Sequence, residues 1–180
     1  MEKLFVVRHC KAEGQPPESP LMEEGHNQAE ELAEFFSTIQ IDRIISSPFT
    51  RAQQSIELTA KALKMSVETD DRLSERILST ENHDDWLEKL RHSFVDLSMK
   101  LPGGESSQEA MDRAKSLFVE LIERSEQNVI LVTHGNLMTL LLKHFDDTYG
   151  FEEWKQLSNP DVYLVSFKDN DHKLERLWDK

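Results

Sequence analysis

The sequence predicts an α/β fold, namely a three-layer αβα sandwich in which helices cover both faces of a mostly parallel central sheet. The prediction rests first on two continuously apolar runs, "LFVV" at 4–7 and "VILV" at 129–132. Such runs, rich in β-branched residues, are typical of strands buried on both faces of a parallel sheet. Segments with helical spacing of apolar residues alternate with the strands, and this order favours right-handed crossovers between parallel strands.

Further strands are predicted along the chain. The segment "RIIS" at 43–46 resembles the first two, whereas "MSVET" at 65–69 is weaker and fits an edge strand. Near the end, "VYLVSF" at 162–167 and "KLERLW" at 173–178 flank the turn-forming residues 169–171. These last two strands are predicted to form a hairpin.

Helices are predicted where apolar residues recur at steps of three and four. The residues with this spacing are Ala29, Leu32, Ala33, Phe36 and Ile39 in one segment and Ala110, Ala114, Leu117 and Leu121 in another. Residues 83–97, with Trp86, Leu90 and Phe94, are also predicted to be helical.

Two helix starts carry recognisable signals. Ser47 followed by Pro48 predicts an N-cap with proline in the first turn, and Ser106 with Glu109 predicts a capping box.

Length and composition limit the classes of protein that fit. A chain of 180 residues with 38% hydrophobic residues predicts one soluble globular domain over 1–180. A formal net charge of −13 argues against nucleic-acid and anionic-membrane partners, since both would repel it. No window approaches the roughly 20 apolar residues of a membrane helix. The single cysteine cannot form an internal disulfide, so a cytoplasmic location is expected.

Functional groups follow the predicted strands at the point where each strand ends. Arg8 and His9 follow the first strand, Arg51 lies just beyond the 43–46 strand, Glu75 follows the weak strand, and His134 follows the 129–132 strand. Ligands of open α/β sheets bind beyond the carboxyl ends of the strands. The sequence therefore predicts that these side chains meet at one edge of the sheet.

This set matches what phosphoryl transfer requires: a nucleophile, cations for the phosphoryl oxygens, and an acid for the leaving oxygen. Each residue also has a structural reading. His134 could be a satisfied structural histidine, Arg51 a solvated surface charge, and Glu75 a helix cap or the ion-pair partner of Arg72 or Arg76.

Six segments resemble motifs of the histidine phosphatase superfamily, which has the phosphoglycerate-mutase-like fold, and they occur in that family's order between residues 4 and about 143. They are "RHC" at 8–10, "LMEEGHNQA" at 21–29, "SSPFTRAQQS" at 46–55, "LSE" at 73–75, "GGES" at 103–106 and "VTHG" at 132–135. Two positions depart from the family pattern, because Cys10 replaces a glycine and Met22 a frequent threonine. A side chain at position 10 is expected to narrow the pocket or alter the backbone there.

The resemblance, together with the chemistry of the residues, suggests a role for each. His9 is the candidate nucleophile that forms a phosphohistidine, Glu75 is the acid that protonates the leaving alcohol and then activates water, and neither a metal nor a cofactor is required. The remaining candidates would hold the phosphoryl oxygens: Arg8, Arg51, His134 and the backbone N–H of Gly135.

Cys10 is an alternative nucleophile, since "HC" also opens the phosphate loop of cysteine-dependent phosphatases. That loop needs an arginine six positions after the cysteine, and residue 16 is proline. Pro16 and Pro17 also lack the N–H groups that such a loop turns toward the anion. The sequence thus favours His9 as the nucleophile and Cys10 as a small buried residue.

The leading functional prediction is a phosphatase acting on small phosphomonoesters. A mutase would use the same pocket, but family mutases typically carry an insertion after the first motif, and residues 11–20 are short here. A non-catalytic phospholigand-binding member is the third reading. The sequence does not predict the substrate, because the pocket beyond the phosphate is formed by residues 10–24 and 76–106, where the motifs are weakest. It does not predict the oligomeric state either. The other five histidines are assigned to the surface or the core, and His83 is the best placed of them to join the site. Trp86, Phe94 and Met99 are predicted to line the pocket or, more simply, to belong to the core.

Overall fold

A computed structural model describes residues 1–169 and 171–178 and contains a six-stranded sheet in the order β3-β2-β4-β1-β5-β6. The strands are β1 (Lys3–Arg8), β2 (Arg43–Ser46), β3 (Glu68–Thr69), β4 (Asn128–Thr133), β5 (Asp161–Lys168) and β6 (Asp171–Arg176). The helices are α1 (Glu23–Phe36), α2 (Thr50–Leu63), α3 (Trp86–Val95), α4 (Ser107–Ile122), α5 (Gly135–Phe145) and α6 (Phe151–Gln156), with a short 3₁₀ turn at Asp71–Leu73.

Strand directions confirm the predicted mostly parallel sheet. The neighbours β3, β2, β4 and β1 are parallel, while β5 runs antiparallel to β1, and β6 antiparallel to β5. The weak third strand lies at the edge, as predicted, and β5 with β6 forms the predicted terminal hairpin, whose turn residue 170 lies outside the described residues. Arg8 pairs in register with Thr133 of β4 and with Asp161 of β5, so the end of β1 and the start of β5 meet at one edge.

Alternate residues of the central strands are buried in two separate hydrophobic cores, one on each face of the sheet. Leu4 and Val6 belong to a cluster with residues of α3, α4, α5 and α6, whereas Phe5 and Val7 belong to one with residues of α1 and α2. Successive strand side chains point to opposite faces, so a continuously apolar strand needs helices on both sides. The two clusters thus confirm the three-layer arrangement.

Helix boundaries differ from the sequence prediction in part. The α1 helix begins at Glu23, earlier than its apolar spacing indicated, and it ends at Phe36, so Ile39 lies outside it. Within the predicted 83–97 segment, α3 is helical from Trp86 to Val95. The short helix α6 was not predicted, because six residues are too few to display a period.

One predicted helix start is confirmed and the other is wrong. Ser106 forms the predicted capping box with Glu109 at the start of α4. Ser47, however, does not cap α2, which begins at Thr50. The Ser47 N–H donates instead to the carbonyl of Val132 at 2.9 Å, because a residue before proline favours extended backbone, and Ser47 extends the β2 ladder.

Within the part of the chain that the structure describes, no helix combines the length and the apolar character needed to cross a bilayer.

Candidate active site

His9 lies immediately after β1 and has both ring nitrogens engaged. Its backbone N–H donates to the carbonyl of Thr133 at 3.0 Å, which continues the strand pairing. Its Nδ1 lies 2.7 Å from the carbonyl oxygen of Cys10, and Nε2 lies 3.3 Å from Nε of Arg51. A carbonyl oxygen only accepts, and a guanidinium only donates. Nδ1 therefore carries the proton, and the lone pair of Nε2 faces the arginine.

His134, at the N-cap position of α5, faces His9 across the site. The two ring centroids are 5.0 Å apart, and the planes are tilted by 59°. His134 is fully buried, and its Nε2 lies 2.8 Å from the hydroxyl of Ser47. Its Nδ1 is also buried, and no hydrogen-bond partner for it exists among the described residues. The ring of Phe49 packs against it at 4.8 Å, so its orientation is fixed on two sides.

Arg51 reaches the site from the first turn of α2. It is only 2% exposed, which contradicts the reading of a solvated surface charge. Besides donating to His9, its Nη1 donates to the carbonyls of Gln15 and Pro16 at 3.0 and 2.9 Å, and its guanidinium lies over the ring of Phe49. The neutral partners fix the guanidinium without neutralising its charge, which remains available to an anion.

Arg8, at the end of β1, is held from the loop that precedes β5. Its Nη1 donates to the carbonyls of Leu157 and Ser158 at 3.1 and 3.2 Å, while its buried Nε has no partner within residues 1–169 and 171–178. Gly135 is needed beside it: a Cβ there would lie 3.2 Å from three atoms of the Arg8 guanidinium group. The glycine after His134 thus allows Arg8 to lie against the start of α5.

Glu75 accepts hydrogen bonds at the N-terminus of α5. Its carboxylate accepts the N–H groups of Asn136 and Leu137 at 3.1 and 2.9 Å, and that of Arg76 at 2.8 Å. An anion is favoured at this end of a helix, where unpaired N–H groups and the helix dipole point at it. Of the alternatives considered for Glu75, the capping contact is the one that is present.

The two arginines proposed as partners of Glu75 are engaged elsewhere. Arg72 pairs with Asp70 and Glu120, at 2.6 and 2.9 Å. The guanidinium of Arg76 donates to the carbonyl of Glu105 and to the hydroxyl of Ser93. The Glu75 carboxylate is therefore not neutralised by a direct ion pair with either residue.

Burial controls the protonation of the two imidazoles. Desolvation lowers the pKa of His9 to about 3; the Cys10 carbonyl opposes this shift, and the charges of Arg51 and Arg8 add to it. The pKa of His134 is also lowered well below its usual value, first by burial and then by His9 and the arginines. Both rings are consequently neutral at physiological pH.

Cys10 is a buried core residue. It is fully buried in the cluster that faces α1 and α2, and burial raises the pKa of its thiol to about 12, so the nucleophilic thiolate is disfavoured. Its φ angle is not in the left-handed region, and it does not line the cleft that the described residues form. The expectation that Cys10 alters the backbone or narrows the pocket is therefore wrong.

A cleft of about 530 Å³ opens above these groups. Its lining is Arg8, His9, Lys11, Ala12, Gly14, Gln15, Glu75, Arg76, Leu78, Trp86, Leu90, Gly135, Asn136, Trp154 and Asn159. The sequence analysis missed Asn159, whose side-chain amide donates to the carbonyl of His9 at 2.8 Å, and Trp154. Both lie about 150 residues from His9 along the chain, in a segment without a recognisable motif.

The remaining candidates, from residues 76–100, take different positions. Trp86 lines the cleft, whereas Phe94 is buried in the core. His83 does not line it; its Nε2 lies 3.1 Å from the Ser79 hydroxyl. The described residues contain no group of three or more histidine, cysteine or acidic side chains placed to hold a metal ion.

Sequence comparison finds the same family along almost the whole chain. Residues 4–180 match the histidine phosphatase superfamily (branch 1). The chain is 29% identical to a protein of Citrobacter koseri named probable phosphoglycerate mutase GpmB, over 94% of this chain and 87% of that protein. A Salmonella choleraesuis protein of the same name is also 29% identical over the same shares.

Solved structures share the fold at low identity. A mycobacterial glucosyl-3-phosphoglycerate phosphatase superposes with a TM-score of 0.77 at 22% identity, covering 98% of this chain and 97% of that one. The alpha-ribazole phosphatase of Shigella flexneri gives a TM-score of 0.77 at 20% identity, over 97% and 95%. These likenesses establish a common architecture.

Proposed function

Because the chain belongs to the histidine phosphatase superfamily, we propose that it is a phosphatase that hydrolyses small phosphomonoesters through a phosphohistidine on His9. The main support for the proposal is the orientation and the protonation of the His9 ring. Its Nδ1–H is fixed by the Cys10 carbonyl, which leaves the Nε2 lone pair directed at the Arg51 guanidinium, where an anion would bind. The lowered pKa keeps that lone pair free of a proton.

The first step is attack of Nε2 on phosphorus. Arg8, Arg51, His134 and the N–H of Gly135 would bind the phosphoryl oxygens and stabilise the charge that spreads over them in the transition state. Arg8 Nε and His134 Nδ1 support this role, since both are buried without a partner among the described residues. Unsatisfied buried polar atoms are costly, so their clustering favours a site built for a ligand.

Glu75 serves both steps. Its carboxylate lines the cleft and accepts the N–H groups of Asn136 and Leu137, which hold it at the start of α5. From this position the carboxyl group would give a proton to the leaving alcohol oxygen in the first step, and the resulting carboxylate would take a proton from the water that attacks the phosphohistidine in the second.

Hydrolysis is favoured over a mutase reaction by the surroundings of Glu75. A mutase must hold its intermediate away from water. Glu75 is only partly buried and lines the open cleft, so water has access to it. The relatives by sequence are named mutases and the structural neighbours phosphatases, which makes the distinction an experimental one.

We further propose a single catalytic domain over residues 1–180, located in the cytoplasm, with a small phosphorylated substrate as its partner and no nucleic-acid or membrane surface. The net charge of −13 and the single buried cysteine support this setting.

Release of phosphate from p-nitrophenyl phosphate tests the function. Hydrolysis should fall by at least about 10⁴-fold in His9→Ala, because the nucleophile is lost, and survive in Cys10→Ser. His26→Ala, at an exposed histidine, is the matched control. Retained activity in His9→Ala, or its loss in Cys10→Ser alone, would contradict the proposal.

A second assay separates the alternatives. Isomerisation of phosphoglycerate faster than its hydrolysis would identify a mutase. Inorganic phosphate binding without turnover of any phosphomonoester would identify the non-catalytic reading.

A further inference from the structure

The cleft has two chemically different halves. The floor contains Arg8 and His9, and it is backed by Arg51 and His134, which both adjoin the His9 ring. The outer wall is apolar and is formed by two leucines and two tryptophans: Leu78, Trp86 and Leu90 of α3, and Trp154 of α6. A phosphoryl group occupies a small part of about 530 Å³, so the wall borders the space that the alcohol part of a substrate would fill.

Trp86 is the most exposed member of the wall. It is the first residue of α3 and 50% exposed, although it lines a concave surface. Leu87 beside it is similarly exposed, at 44%, but it does not line the cleft. A large apolar side chain left open inside a concave pocket is typical of ligand contact, whereas one on a convex surface needs no explanation.

The wall is held in place by buried polar contacts. Arg76, 5% exposed, donates through Nη1 to the Ser93 hydroxyl of α3 at 2.8 Å and through Nε to the Glu105 carbonyl at 3.2 Å. The hydroxyl of Ser107 donates to the carbonyl of Ser93. These bonds tie α3 to the segment that follows Glu75, so the position of the wall is preformed relative to the proposed acid.

The second tryptophan is also fixed. The ring of Trp154 stacks on that of Phe151 at 5.5 Å with an interplanar angle of 29°, and Phe151 is buried in the core. Arg91 of α3 lies over the other aromatic ring of this pair, 4.8 Å from the Phe151 centroid, which joins α3 to α6.

We propose that the alcohol part of the substrate is an aromatic or heteroaromatic ring, which packs against Trp86, Leu90 and Trp154 while the phosphoryl group lies on the His9 floor. The inference rests on the proposed function for the floor and adds the substrate class. A polyol such as glycerol would leave the apolar wall facing water and lose hydroxyl hydration. A flat ring buries the wall and gains the offset or edge contacts that aromatic pairs favour.

Phosphonates test the inference independently of turnover, because their carbon–phosphorus bond is not hydrolysed. Dissociation constants are measured by calorimetry for methylphosphonate, benzylphosphonate and cyclohexylmethylphosphonate. The protein should bind benzylphosphonate at least about tenfold more tightly than methylphosphonate, a difference of about 1.4 kcal/mol. Cyclohexylmethylphosphonate should bind at least about threefold more weakly than benzylphosphonate, because it lacks a flat ring.

Two variants on adjacent positions locate the effect. The benzyl advantage is the ratio of the affinity for benzylphosphonate to that for methylphosphonate. Trp86→Ala should reduce this ratio to about threefold or less and leave methylphosphonate affinity unchanged, whereas Leu87→Ala should preserve both. Equal affinity for the methyl and benzyl compounds, an equal or greater affinity for the cyclohexyl compound, or an advantage that survives Trp86→Ala would overturn the inference.

The outcome also separates this inference from the proposed function. A benzyl advantage without hydrolysis of any phosphomonoester would retain the aromatic wall and remove the phosphatase. Hydrolysis of phosphomonoesters without a benzyl advantage would retain the phosphatase and remove the aromatic substrate class. Failure of all three phosphonates to bind, with inorganic phosphate bound normally, would overturn the inference alone.

Discussion

The floor and the outer wall of the cleft are built in different ways. Each floor residue comes from a short motif at the end of a strand, and strand register fixes its position: Arg8 is paired with Thr133, next to His134. The wall is assembled from α3 and α6, which lie in loop-rich segments far apart in the chain. In the proposed enzyme, the sheet therefore determines the position of the phosphoryl site, while the connections determine what the alcohol part of the substrate would contact.

The two regions also differ in hydration. Arg51 and His134 are almost fully buried, and burial is the largest cause of the lowered pKa of both histidines. Trp86 at the wall is half exposed. Substitutions in the floor should thus change chemistry and protonation, whereas substitutions in the wall should change substrate preference.

Glu75 lines the cleft, and its replacement should have the largest effect after that of His9. In Glu75→Gln, steady-state hydrolysis of p-nitrophenyl phosphate should fall by about 10³-fold, roughly 4 kcal/mol, because the base for the second step is lost. The first step needs little proton donation with this leaving group, so stopped-flow absorbance should still record a burst of one p-nitrophenol per active site. The exposed Glu81→Gln variant is the control; unchanged turnover in Glu75→Gln would remove Glu75 from the mechanism.

The buried His9 should make the free energy of unfolding depend on pH. Its pKa is about 3 in the folded protein against about 6.5 when unfolded, so the unfolded chain binds the proton first as pH falls. Stability is complete above pH 6.5 and declines between pH 6.5 and 3. At pH 5 the His9 contribution to the loss is about 2 kcal/mol. Urea titrations at pH 8 and 5 should show a loss smaller by about that amount in His9→Gln; an identical loss in both proteins would mean that His9 is not desolvated.

The loop that holds Arg8 depends on an ion pair between the buried Asp161 and the more exposed Arg176. Asp161 is fully buried, accepts the Ser158 N–H at 2.9 Å and pairs with Arg176 at 2.6 Å. In Arg176→Met this anchor is weakened, and we expect inorganic phosphate to bind about tenfold more weakly, or about 1.4 kcal/mol, because Arg8 loses its fixed position. Lys173→Met, on the same strand, removes an exposed pair with Glu175 and should leave phosphate affinity unchanged in calorimetry. Equal affinities in the two variants would show that the loop does not position Arg8.

Cys10 should have the smallest effect, since it follows His9 in the sequence but is packed in the core. Cys10→Ala removes one buried sulfur and should cost about 1 kcal/mol in urea unfolding. The kcat/KM for p-nitrophenyl phosphate should stay within about twofold of that of the unchanged protein, since the thiol does not line the cleft. A loss of activity much larger than the loss of stability would assign Cys10 a chemical role.

The contrast between floor and wall also explains what the sequence could predict. The apolar runs predicted the sheet and its layers, and the strand-end motifs predicted the six candidate site residues. Both kinds of signal are local in the sequence. The helix cap predicted at Ser47 is wrong because a Ser-Pro pair suits both a helix cap and a strand end, and the pairing with Val132 that decides between them is a long-range contact. Asn159 and Trp154 had no local signal, as the register of β5 against β1 is what brings them to the site.

The central claim is that His9 takes the phosphoryl group from the substrate. Rapid chemical quench of Glu75→Gln with p-nitrophenyl phosphate, followed by proteolysis and mass spectrometry under alkaline conditions that preserve phosphohistidine, measures this directly. We expect a phosphorylated peptide with the modification on His9. A phosphoryl group on Cys10, or on any other side chain, or a burst of product without a phosphorylated peptide, would contradict it.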